Sequence, residues 1–276
     1  MAKIIITGAT GYIGQEVLRQ ICLLEPDADI LTIGREVSLF ETDIDFEIRS
    51  VVHLATLSTS KDSAELLEPM LDANLLFGAR LLNWLDRSGQ RGVPFINTGS
   101  FAEYRLGAKE GFSPAYLYTA TKTAFRSILR YYQEKGVCRV VTAVPYTVYG
   151  GHDRTKKIIN YLVDALDAKQ PVAFTKGEQV LDFVHVRDVA RFFAKLALHP
   201  QSLPEGSYHL GTGVGTSIRR LAEMLESLSG KRLNANWGAL PYRPLDVMFA
   251  VAPKDDVLSA FWKPKITLEQ GVKEYL

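Results

Sequence analysis

The sequence has little cysteine and no excess of charge of either sign. Its 276 residues include two cysteines, Cys22 and Cys138, and 32 basic residues against 31 acidic ones leave a net charge of +1. Two isolated cysteines without neighbouring histidines argue against a zinc site, and we expect both thiols to be buried as small apolar groups. Interspersed charge lacks the basic patch of a nucleic-acid-binding protein. We therefore expect no metal, no nucleic acid and a small-molecule partner.

Long apolar runs are also missing. No stretch is long and apolar enough to span a bilayer, and the first residues run directly into a glycine-rich turn instead of forming a secretory signal. The low cysteine content fits a reducing compartment, so we expect a cytoplasmic protein without a membrane partner. The hydrophobic fraction is 47%, which is enough to fill the core of one large α/β unit with a smaller companion.

Short apolar runs rich in β-forming residues alternate with longer helical stretches. This alternation predicts an α/β fold, a doubly wound parallel sheet whose strands are apolar because helices cover both faces. Residues 35–50 are short for a strand-helix-strand crossover, and we expect an irregular connection there. The predicted strands are 3–7, 30–34, 51–54, 94–98 and 139–145, and the predicted helices are 12–24, 66–87 and 116–135.

A glycine-rich turn joins the first strand to the first helix. Gly8 permits a tight turn, Gly11 lets the backbone approach a pyrophosphate, and Gly14 lets the helix pack closely on the strand. The phosphates would lie at the free N–H groups and positive dipole of the helix N-terminus. A strand before the turn and a helix after it make this a prediction of a dinucleotide-binding Rossmann fold. The candidate contacts are Gly8, Thr10, Gly11, Tyr12, Ile13 and Gly14.

The end of the second strand bears on the choice of dinucleotide. A fold that prefers NAD usually has an acidic residue there to hold the ribose 2′-hydroxyl. This chain has Arg35, and a guanidinium suits a 2′-phosphate. The sequence therefore favours NADP(H), with NAD as the alternative if Arg35 is a solvated surface residue.

The composition of the sequence changes after Gly150. We assign residues 1–150 to a dinucleotide-binding domain, and 177–215 return to it through a strand and helix at 182–198. More turns, prolines and aromatics in 151–176 and 216–276 predict a smaller substrate-binding region.

Tyr118 and Lys122 form the candidate reacting pair. Their spacing of four residues on a helix places the phenol and the ammonium on one face, and the ammonium would lower the tyrosine pKa towards neutrality. Tyr131 and Lys135 have the same spacing in the same helix. Tyr118 lies in the first turn, where it projects over the sheet edge, whereas Tyr131 lies near the end and is expected to pack or to face solvent.

Ser100 follows the strand predicted at 94–98 and therefore lies at the carboxyl edge of the sheet, where open α/β folds bind ligands. Its hydroxyl is suited to donate a hydrogen bond to a substrate oxygen. Thr98 is a rival for this role, and a plain turn residue is the alternative for Ser100. His53 and His185 lie in apolar strands, which predicts core histidines instead of acid–base groups.

These residues together resemble the extended short-chain dehydrogenase/reductase family, which contains nucleotide-sugar epimerases, dehydratases and ketoreductases. The glycine turn, Ser100 four residues before Tyr104, and the pair Tyr118 and Lys122 match the family's motifs. The resemblance covers essentially the whole chain. Further matching segments are 51–55, Asn74, Tyr149-Gly150, 182–190, 208–213, 243–246, 262–264 and 268–271.

The resemblance implies further site residues. Departures from the family pattern fall in loops that usually touch substrate, because Leu181 replaces a common arginine and Gly151 a common proline. The counterpart of Arg243 in the family contacts the nucleotide diphosphate, and Thr147 replaces an asparagine. The implied cofactor residues are Leu54, Ala55, Thr56, Asn74, Tyr118, Lys122 and Pro145, and the implied substrate residues are Ser100, Thr147 and Arg243.

The resemblance also implies hydride transfer at a sugar carbon, usually C4. Tyr118 would donate a proton to the carbonyl oxygen, Lys122 would hold the nicotinamide ribose, and Ser100 would steady the oxygen. A 4,6-dehydratase needs adjacent Asp and Glu after the catalytic hydroxyl, where this chain has Phe101 and Ala102. The dehydratase is therefore set aside.

Arg35 favours a reductase that consumes NADPH over an epimerase that retains NAD. Segments 53–56 and 95–98 also resemble the small 4-ketoreductases of deoxy- and dideoxyhexose synthesis, such as CDP-paratose and CDP-abequose synthases. A non-catalytic NADP sensor or assembly protein is the alternative of another class, and the intact Tyr–Lys pair argues against it. Family members often pair through helices corresponding to 66–87 and 116–135, which implies a homodimer.

Overall fold

The computed structural model describes residues 2–34, 38–61 and 63–276, and of Ser38 and Leu39 only the backbone. Arg35, on which the prediction of NADP(H) depends, lies outside the described residues. The strands are β1 (Lys3–Thr7), β2 (Ile30–Ile33), β3 (Ile48–His53), β4 (Val93–Thr98), β5 (Cys138–Pro145), β6 (Thr147–Tyr149), β7 (Val172–Phe174), β8 (Val180–His185), β9 (Gly206–Leu210), β10 (Gly215–Ser217), β11 (Ala235–Trp237) and β12 (Phe249–Ala250). The α-helices are α1 (Tyr12–Leu24), α2 (Ala64–Leu71), α3 (Phe77–Arg87), α4 (Leu117–Glu134), α5 (Ile158–Leu166), α6 (Val186–Leu198), α7 (Ile218–Ser229), α8 (Asp256–Phe261) and α9 (Leu268–Val272).

Six parallel strands form the central sheet in the order β2-β1-β3-β4-β5-β9. The five strands predicted from the sequence are all present, with ends that differ by a few residues. The chain crosses from β1 outwards to β2 and then back past β1 to β3, so the order reverses beside β1. Ligands of open α/β sheets bind at such a reversal, outside the carboxyl ends of the strands. The doubly wound parallel sheet is therefore confirmed.

Helices cover both faces of the sheet and enclose two cores. Alternate residues of β1 point to opposite faces: Ile4 and Ile6 belong to the first core with α1 and α6, and Ile5 belongs to the second core with α3 and α4. The third core lies under the smaller region, where α5 and α7 pack together. Each core contains one of the three tryptophans, with Trp262 in the first, Trp84 in the second and Trp237 at the margin of the third.

The smaller region contains two small sheets. One has the order β10-β8-β12 with β6 also paired to β8, and the other pairs β11 with β7. The segment at 177–215 is therefore divided, because β8 pairs in the smaller sheet while α6 and β9 pack in the main unit. The segment at 216–276 is divided as well, since Val247, Leu258 and Trp262 pack into the first core. The assignment of a separate substrate-binding region stays a prediction.

Three local features differ from expectation or refine it. The helix predicted at 66–87 is interrupted by a π-helical turn at Asp72–Leu76, which inserts an extra residue and turns Asn74 inwards. Cys22 is exposed, so the prediction of a buried thiol was wrong there, whereas Cys138 is buried. Cys22 follows Ile21 on α1, and one residue rotates a helical side chain by about 100°, from the core face towards solvent. Between β2 and β3, the described residues contain one short 3-10 helix, Ser38–Glu41, in place of an α-helix.

No helix in the described part of the chain is long and apolar enough to cross a membrane.

Asp182 on β8 links the smaller sheet by hydrogen bonds to two other segments, residues 212–213 and Ala252. Its fully buried carboxylate accepts hydrogen bonds from Thr212 N (2.8 Å) and Thr212 Oγ1 (2.6 Å). It also accepts from Gly213 N (2.8 Å) and Ala252 N (3.2 Å). Three of these donors are backbone N–H groups from two separate segments, so the one carboxylate ties β8 to both of them.

Replacing Asp182 by alanine is expected to lower the free energy of unfolding by about 3–5 kcal/mol, because four donors, one of them the buried N–H of Ala252, lose a charged acceptor. Urea denaturation followed by circular dichroism measures this. The matched control is Asp167→Ala, which removes a carboxylate from an exposed ion pair with Lys231 and should change stability by no more than about 0.5 kcal/mol. Equal effects of the two substitutions would contradict the anchoring role of Asp182.

Candidate active site

The glycine-rich turn lies in direct contact with the end of β3. Gly8 has a φ of +69°, and a Cβ there would lie 2.6 Å from Ala55 N. A Cβ on Gly14 would lie 2.1 Å from the Gly8 oxygen. No side chain could be accommodated at either position without moving backbone. The turn therefore presents bare backbone at the sheet edge, as a dinucleotide pyrophosphate requires.

Helix α1 begins at Tyr12 with an uncapped N-terminus. Gly11 is the N-cap residue, no side chain in the described part of the chain caps the helix, and its first turn contains no acidic residue. Gly11 N donates to Gly8 O (3.0 Å) within the turn, and the free N–H groups at the start of α1, together with the helix dipole, would suit an anion. These features fit a dinucleotide with its diphosphate at this position.

Tyr12 uses its side chain for another purpose. Its hydroxyl donates to the Gly150 carbonyl oxygen (2.7 Å), and the Gly150 N–H donates to the Tyr275 hydroxyl (2.8 Å). The Lys157 ammonium lies 4.1 Å from the centre of the Tyr12 ring. Tyr12 therefore ties the glycine-rich turn to the smaller region, and only its backbone remains for a cofactor.

His53 at the end of β3 is a core residue. Its Nδ1 lies 2.8 Å from the Thr7 hydroxyl, which also accepts from Ala55 N at 3.2 Å. Burial, reinforced by the positive charge of Lys122, lowers the pKa of His53 to about 3. The histidine is therefore neutral in the physiological range, and it fixes the chain just before Leu54, Ala55 and Thr56.

Asn74 in the π-helical turn connects the loop after β3 to the helix α4. Its Oδ1 accepts from Leu57 N (2.8 Å) and the Thr56 hydroxyl (2.9 Å). Its Nδ2 donates to Leu57 O (3.2 Å) and the Thr121 hydroxyl (2.9 Å). The amide is thus fully used within the protein. Asn74 acts on the predicted cofactor site by holding its walls in place, and it has no free polar group with which to touch the cofactor.

Tyr118 and Lys122 lie in the first turns of α4. Tyr118 is partly exposed, Lys122 is 4% exposed, and the ammonium lies 5.9 Å from the centre of the tyrosine ring. The ammonium makes no hydrogen bond within the described residues. Ser58 lies beside the Tyr118 hydroxyl, as does Thr56, whose own hydroxyl donates to Asn74 Oδ1. Ser58 was not found from the sequence, because no motif marks it, and its place in the loop after β3 brings it to the tyrosine.

Burial determines the protonation of this pair. It raises the pKa of Tyr118 to about 12, against the opposing hydrogen bond from Ser58, and the charge of Glu103 raises it further. The expectation that the tyrosine pKa lies towards neutrality was therefore wrong, because the cost of burying a phenolate dominates. Burial also lowers the pKa of Lys122 to about 8, against the opposing charge of Glu103. At neutral pH the tyrosine is an acid with a proton to give.

Ser100 is better placed than Thr98 to meet a substrate. The Thr98 hydroxyl is buried and donates to His53 O (2.9 Å) on the neighbouring strand. Ser100 is partly exposed, and its hydroxyl accepts from Ala102 N (3.3 Å). Among the described residues, the Ser100 hydroxyl hydrogen has no acceptor. It is therefore available to a substrate oxygen.

A buried ion pair beside Ser100 was not found from the sequence. Glu103 is fully buried and pairs with Arg126 of α4, with Nε and Oε2 2.7 Å apart. Glu103 Oε1 also accepts from Ser100 N (2.7 Å). Its partners lie 3 and 23 residues away, so only the folded chain reveals the contact. The pair shows that the Ser100 turn and the helix of Tyr118 and Lys122 meet.

The predicted substrate residues lie beyond the ends of β5 and in the last part of the chain. Pro145, a predicted cofactor residue, ends β5. Two residues on, the Oγ1 atom of Thr147 is buried without a hydrogen-bond partner among the described residues. Arg243 is exposed, and its guanidinium lies 5.7 Å from the centre of the Tyr116 ring. Tyr116 is the N-cap residue of α4. The structure thus places Arg243 beside the start of the helix that carries Tyr118.

A comparison with protein families identifies the chain. The model of the NAD dependent epimerase/dehydratase family matches residues 4–211, which is more than half of the sequence. The chain belongs to the NAD dependent epimerase/dehydratase family. This confirms the resemblance drawn from the glycine turn, Ser100 and the pair Tyr118 and Lys122, and it confirms that the protein is an enzyme of this family.

Named relatives and solved structures match between 68% and 99% of the chain. The CDP-abequose synthase of Salmonella typhimurium is 29% identical over 99% of this chain and 97% of its own length. That of Yersinia pseudotuberculosis is 26% identical over 68% of this chain and 70% of its own. MoeE5 in complex with UDP-glucose and NAD has a TM-score of 0.82 at 22% identity, over 99% of this chain and 97% of that one. The UDP-glucose 4-epimerase of Thermus thermophilus in complex with NAD has a TM-score of 0.81 at 22% identity, over 99% of this chain and 98% of that one. The two structures support the fold.

Replacing Asn74 by alanine is expected to weaken dinucleotide binding by about tenfold, because residues that orient the groups around a site commonly contribute this much when lost. The loop after β3 and Thr121 would both lose their connection. Titration calorimetry with NADPH and NADH measures the affinity. The control is Asn236→Ala, which removes an exposed asparagine on β11 and should leave it unchanged. An unchanged affinity in Asn74→Ala would show that the loop is held without this amide.

Proposed function

We propose that the chain is an NADP(H)-dependent oxidoreductase that acts on a nucleotide-activated sugar and reduces a 4-keto-6-deoxy or dideoxy hexose at C4. The observation that carries the proposal is geometric: the Glu103–Arg126 pair joins the Ser100 turn to the helix that carries Tyr118 and Lys122. A carbonyl reduction needs a proton donor at this position, and the phenol of Tyr118 is protonated at neutral pH.

Each residue then has one task in the reducing direction. The bound nicotinamide would supply the hydride. Tyr118 would give its phenolic proton to the C4 oxygen, and Ser100 would donate a hydrogen bond to the same oxygen as charge develops on it. Lys122, with its ammonium free of hydrogen bonds to the described residues, would hold the nicotinamide ribose and favour the phenolate left behind. Pro145 and Thr147 would line the site beyond β5.

The identity of the substrate is proposed from the relatives. Two of them are named CDP-abequose synthases and one matches almost the full length of the chain, which makes a CDP-linked 4-keto sugar the first to test. Arg243 would meet the diphosphate, because its guanidinium is exposed and suits two phosphates. The preference for NADP(H) rests on Arg35 in the sequence.

One alternative stays open to experiment. An epimerase that retains NAD would oxidise and re-reduce the same carbon with no net use of cofactor. It therefore differs from a reductase in cofactor consumption.

Purified protein is expected to oxidise NADPH in the presence of one nucleotide-linked 4-keto-6-deoxy sugar generated in place, and to oxidise NADH more slowly. The loss of the reduced cofactor's near-ultraviolet absorbance measures both. Tyr118→Phe should lower kcat by at least about 100-fold, because general acid catalysis contributes about 10²–10⁴. The control is Tyr131→Phe, since Tyr131 stands in the same helix with a lysine at the same spacing but is 58% exposed.

The other outcomes have definite meanings. Isomerised sugar without net consumption of either cofactor would identify the epimerase. Tight dinucleotide binding without turnover of any sugar in the panel would contradict the proposed reduction of a 4-keto sugar.

The proposed homodimer uses the helices around 66–87 and 116–135. Leu67, Leu71 and Leu76 are 43%, 38% and 44% exposed, and a row of exposed leucines on one helical segment is typical of a protein contact. Light scattering at micromolar concentration is expected to give twice the chain mass. Leu71→Arg should give a monomer, and Leu23→Arg, at a 64% exposed leucine on α1, should not. A monomeric unmodified protein would exclude the dimer.

A further inference from the structure

Glu103 closes the turn that carries Ser100. The Ser100 N–H donates to Glu103 Oε1 (2.7 Å) while the Ser100 hydroxyl accepts from Ala102 N (3.3 Å), so the two residues cap the short 3-10 helix Phe101–Glu103 reciprocally. Glu103 is fully buried. A buried carboxylate is costly unless strong donors surround it, and an ordinary surface turn would not require one.

Arg126 supplies those donors from α4, the helix that carries Tyr118 and Lys122 and is called the catalytic helix below. Its Nε and Nη2 approach Oε2 and Oε1 of Glu103 at 2.7 and 3.1 Å, and Thr123 Oγ1 lies 3.3 Å from Oε2. Arg126 stands four residues after Lys122, on the same face of α4. The fork therefore fixes the Ser100 turn relative to the residues that carry the chemistry.

Neighbouring groups leave the pair little freedom. A Cβ on Gly99 would lie 2.5 Å from Arg126 Nη2. Arg126 Nη1 donates to Ser207 Oγ of β9 (3.0 Å), and the guanidinium lies 5.1 Å from the centre of the Phe112 ring. The pair is thus held by several separate segments, and its position is defined by the fold.

We propose that Glu103, held by Arg126, is a positioning residue that fixes Ser100 against the catalytic helix and places a permanent negative charge next to the Tyr118–Lys122 pair. The inference rests on the proposed function, because it assumes that Ser100, Tyr118 and Lys122 do the chemistry.

The charge has a defined sign of action. A buried negative charge favours an ammonium and disfavours a phenolate. Glu103 therefore raises the pKa of Lys122, which opposes the effect of burial, and raises the pKa of Tyr118, which reinforces the effect of burial. The other ionisable groups beside Glu103 are Arg126 on α4, Tyr104 on its own turn and His209 on β9. Burial lowers the pKa of His209 to about 4, so this histidine is neutral at pH 7 and the ion pair provides the charges.

The first test needs no substrate. In protein with ¹³Cε-labelled lysine, the resonance of Lys122 is assigned by its loss in Lys122→Met and titrated by NMR from mildly acidic to alkaline pH. Glu103→Gln is expected to lower the titration midpoint by about one pH unit, the size expected for losing a nearby opposite charge. Glu134→Gln, which removes an exposed carboxylate paired with Arg130 on the same helix, should leave it unchanged. An unshifted midpoint in Glu103→Gln would overturn the electrostatic part of the proposal.

Turnover tests the positioning part. Glu103→Gln should lower kcat about tenfold or more with the KM for the dinucleotide within about twofold, because a small displacement of a catalytic group slows chemistry more than binding. Glu103→Asp keeps the charge and shortens the side chain, so it should preserve the Lys122 midpoint while still lowering kcat. An unchanged kcat in both variants would overturn the positioning role.

Glu103→Gln leaves the Arg126 guanidinium unpaired, which could prevent folding. The double variant Glu103→Gln with Arg126→Gln controls for this, because it leaves no unpaired buried charge. In the double variant the titration midpoint of Lys122 should still fall, but by less than in Glu103→Gln, because Glu103 raises the pKa of this lysine more than Arg126 lowers it. A midpoint equal to that of the unmodified protein would count against the proposal. Absence of turnover in the unmodified protein would refute the proposed function and leave the lysine titration to decide the electrostatic effect.

Discussion

Parallel pairing of the central strands is the constraint on which the rest of the molecule depends. Because β1, β3, β4 and β5 run in one direction, their carboxyl ends meet at one edge. The glycine turn, the loop at Ala55, the Ser100 turn and Thr147 follow those ends in this order. Residues far apart in the chain are thereby brought to one edge of the sheet.

Burial is the second determinant, and it acts on the tyrosine, the lysine and the histidine of the site in the same sense. It disfavours the charged form of each, so the phenol of Tyr118 keeps its proton, His53 stays neutral and the pKa of Lys122 falls. One buried carboxylate counteracts this effect on the lysine. The protonation pattern of the site is therefore a property of its surroundings, and the spacing of Tyr118 and Lys122 alone could not define it.

The sequence was sufficient for the features that repeat locally. Apolar strands, the glycine spacing and a Tyr–Lys pair at the start of a helix are patterns within short windows, and they led to the correct fold and family. Features that depend on contacts between distant segments were not accessible: the Glu103–Arg126 pair, the four hydrogen bonds of Asn74, and the acceptor role of Asp182. The prediction that the Cys22 thiol is buried was wrong for a related reason, because one step along a helix is enough to turn a side chain from the core to solvent.

The distribution of tryptophan has a practical consequence. With one indole in each of the three cores, and Trp237 4.1 Å from the Arg219 guanidinium in the smaller region, the molecule contains a separate intrinsic fluorophore for each packed layer. Chains that retain a single indole would emit from one layer at a time. Loosening of the smaller region would then be visible as a change in the emission of Trp237, while Trp84 and Trp262 would report on the two faces of the nucleotide-binding sheet.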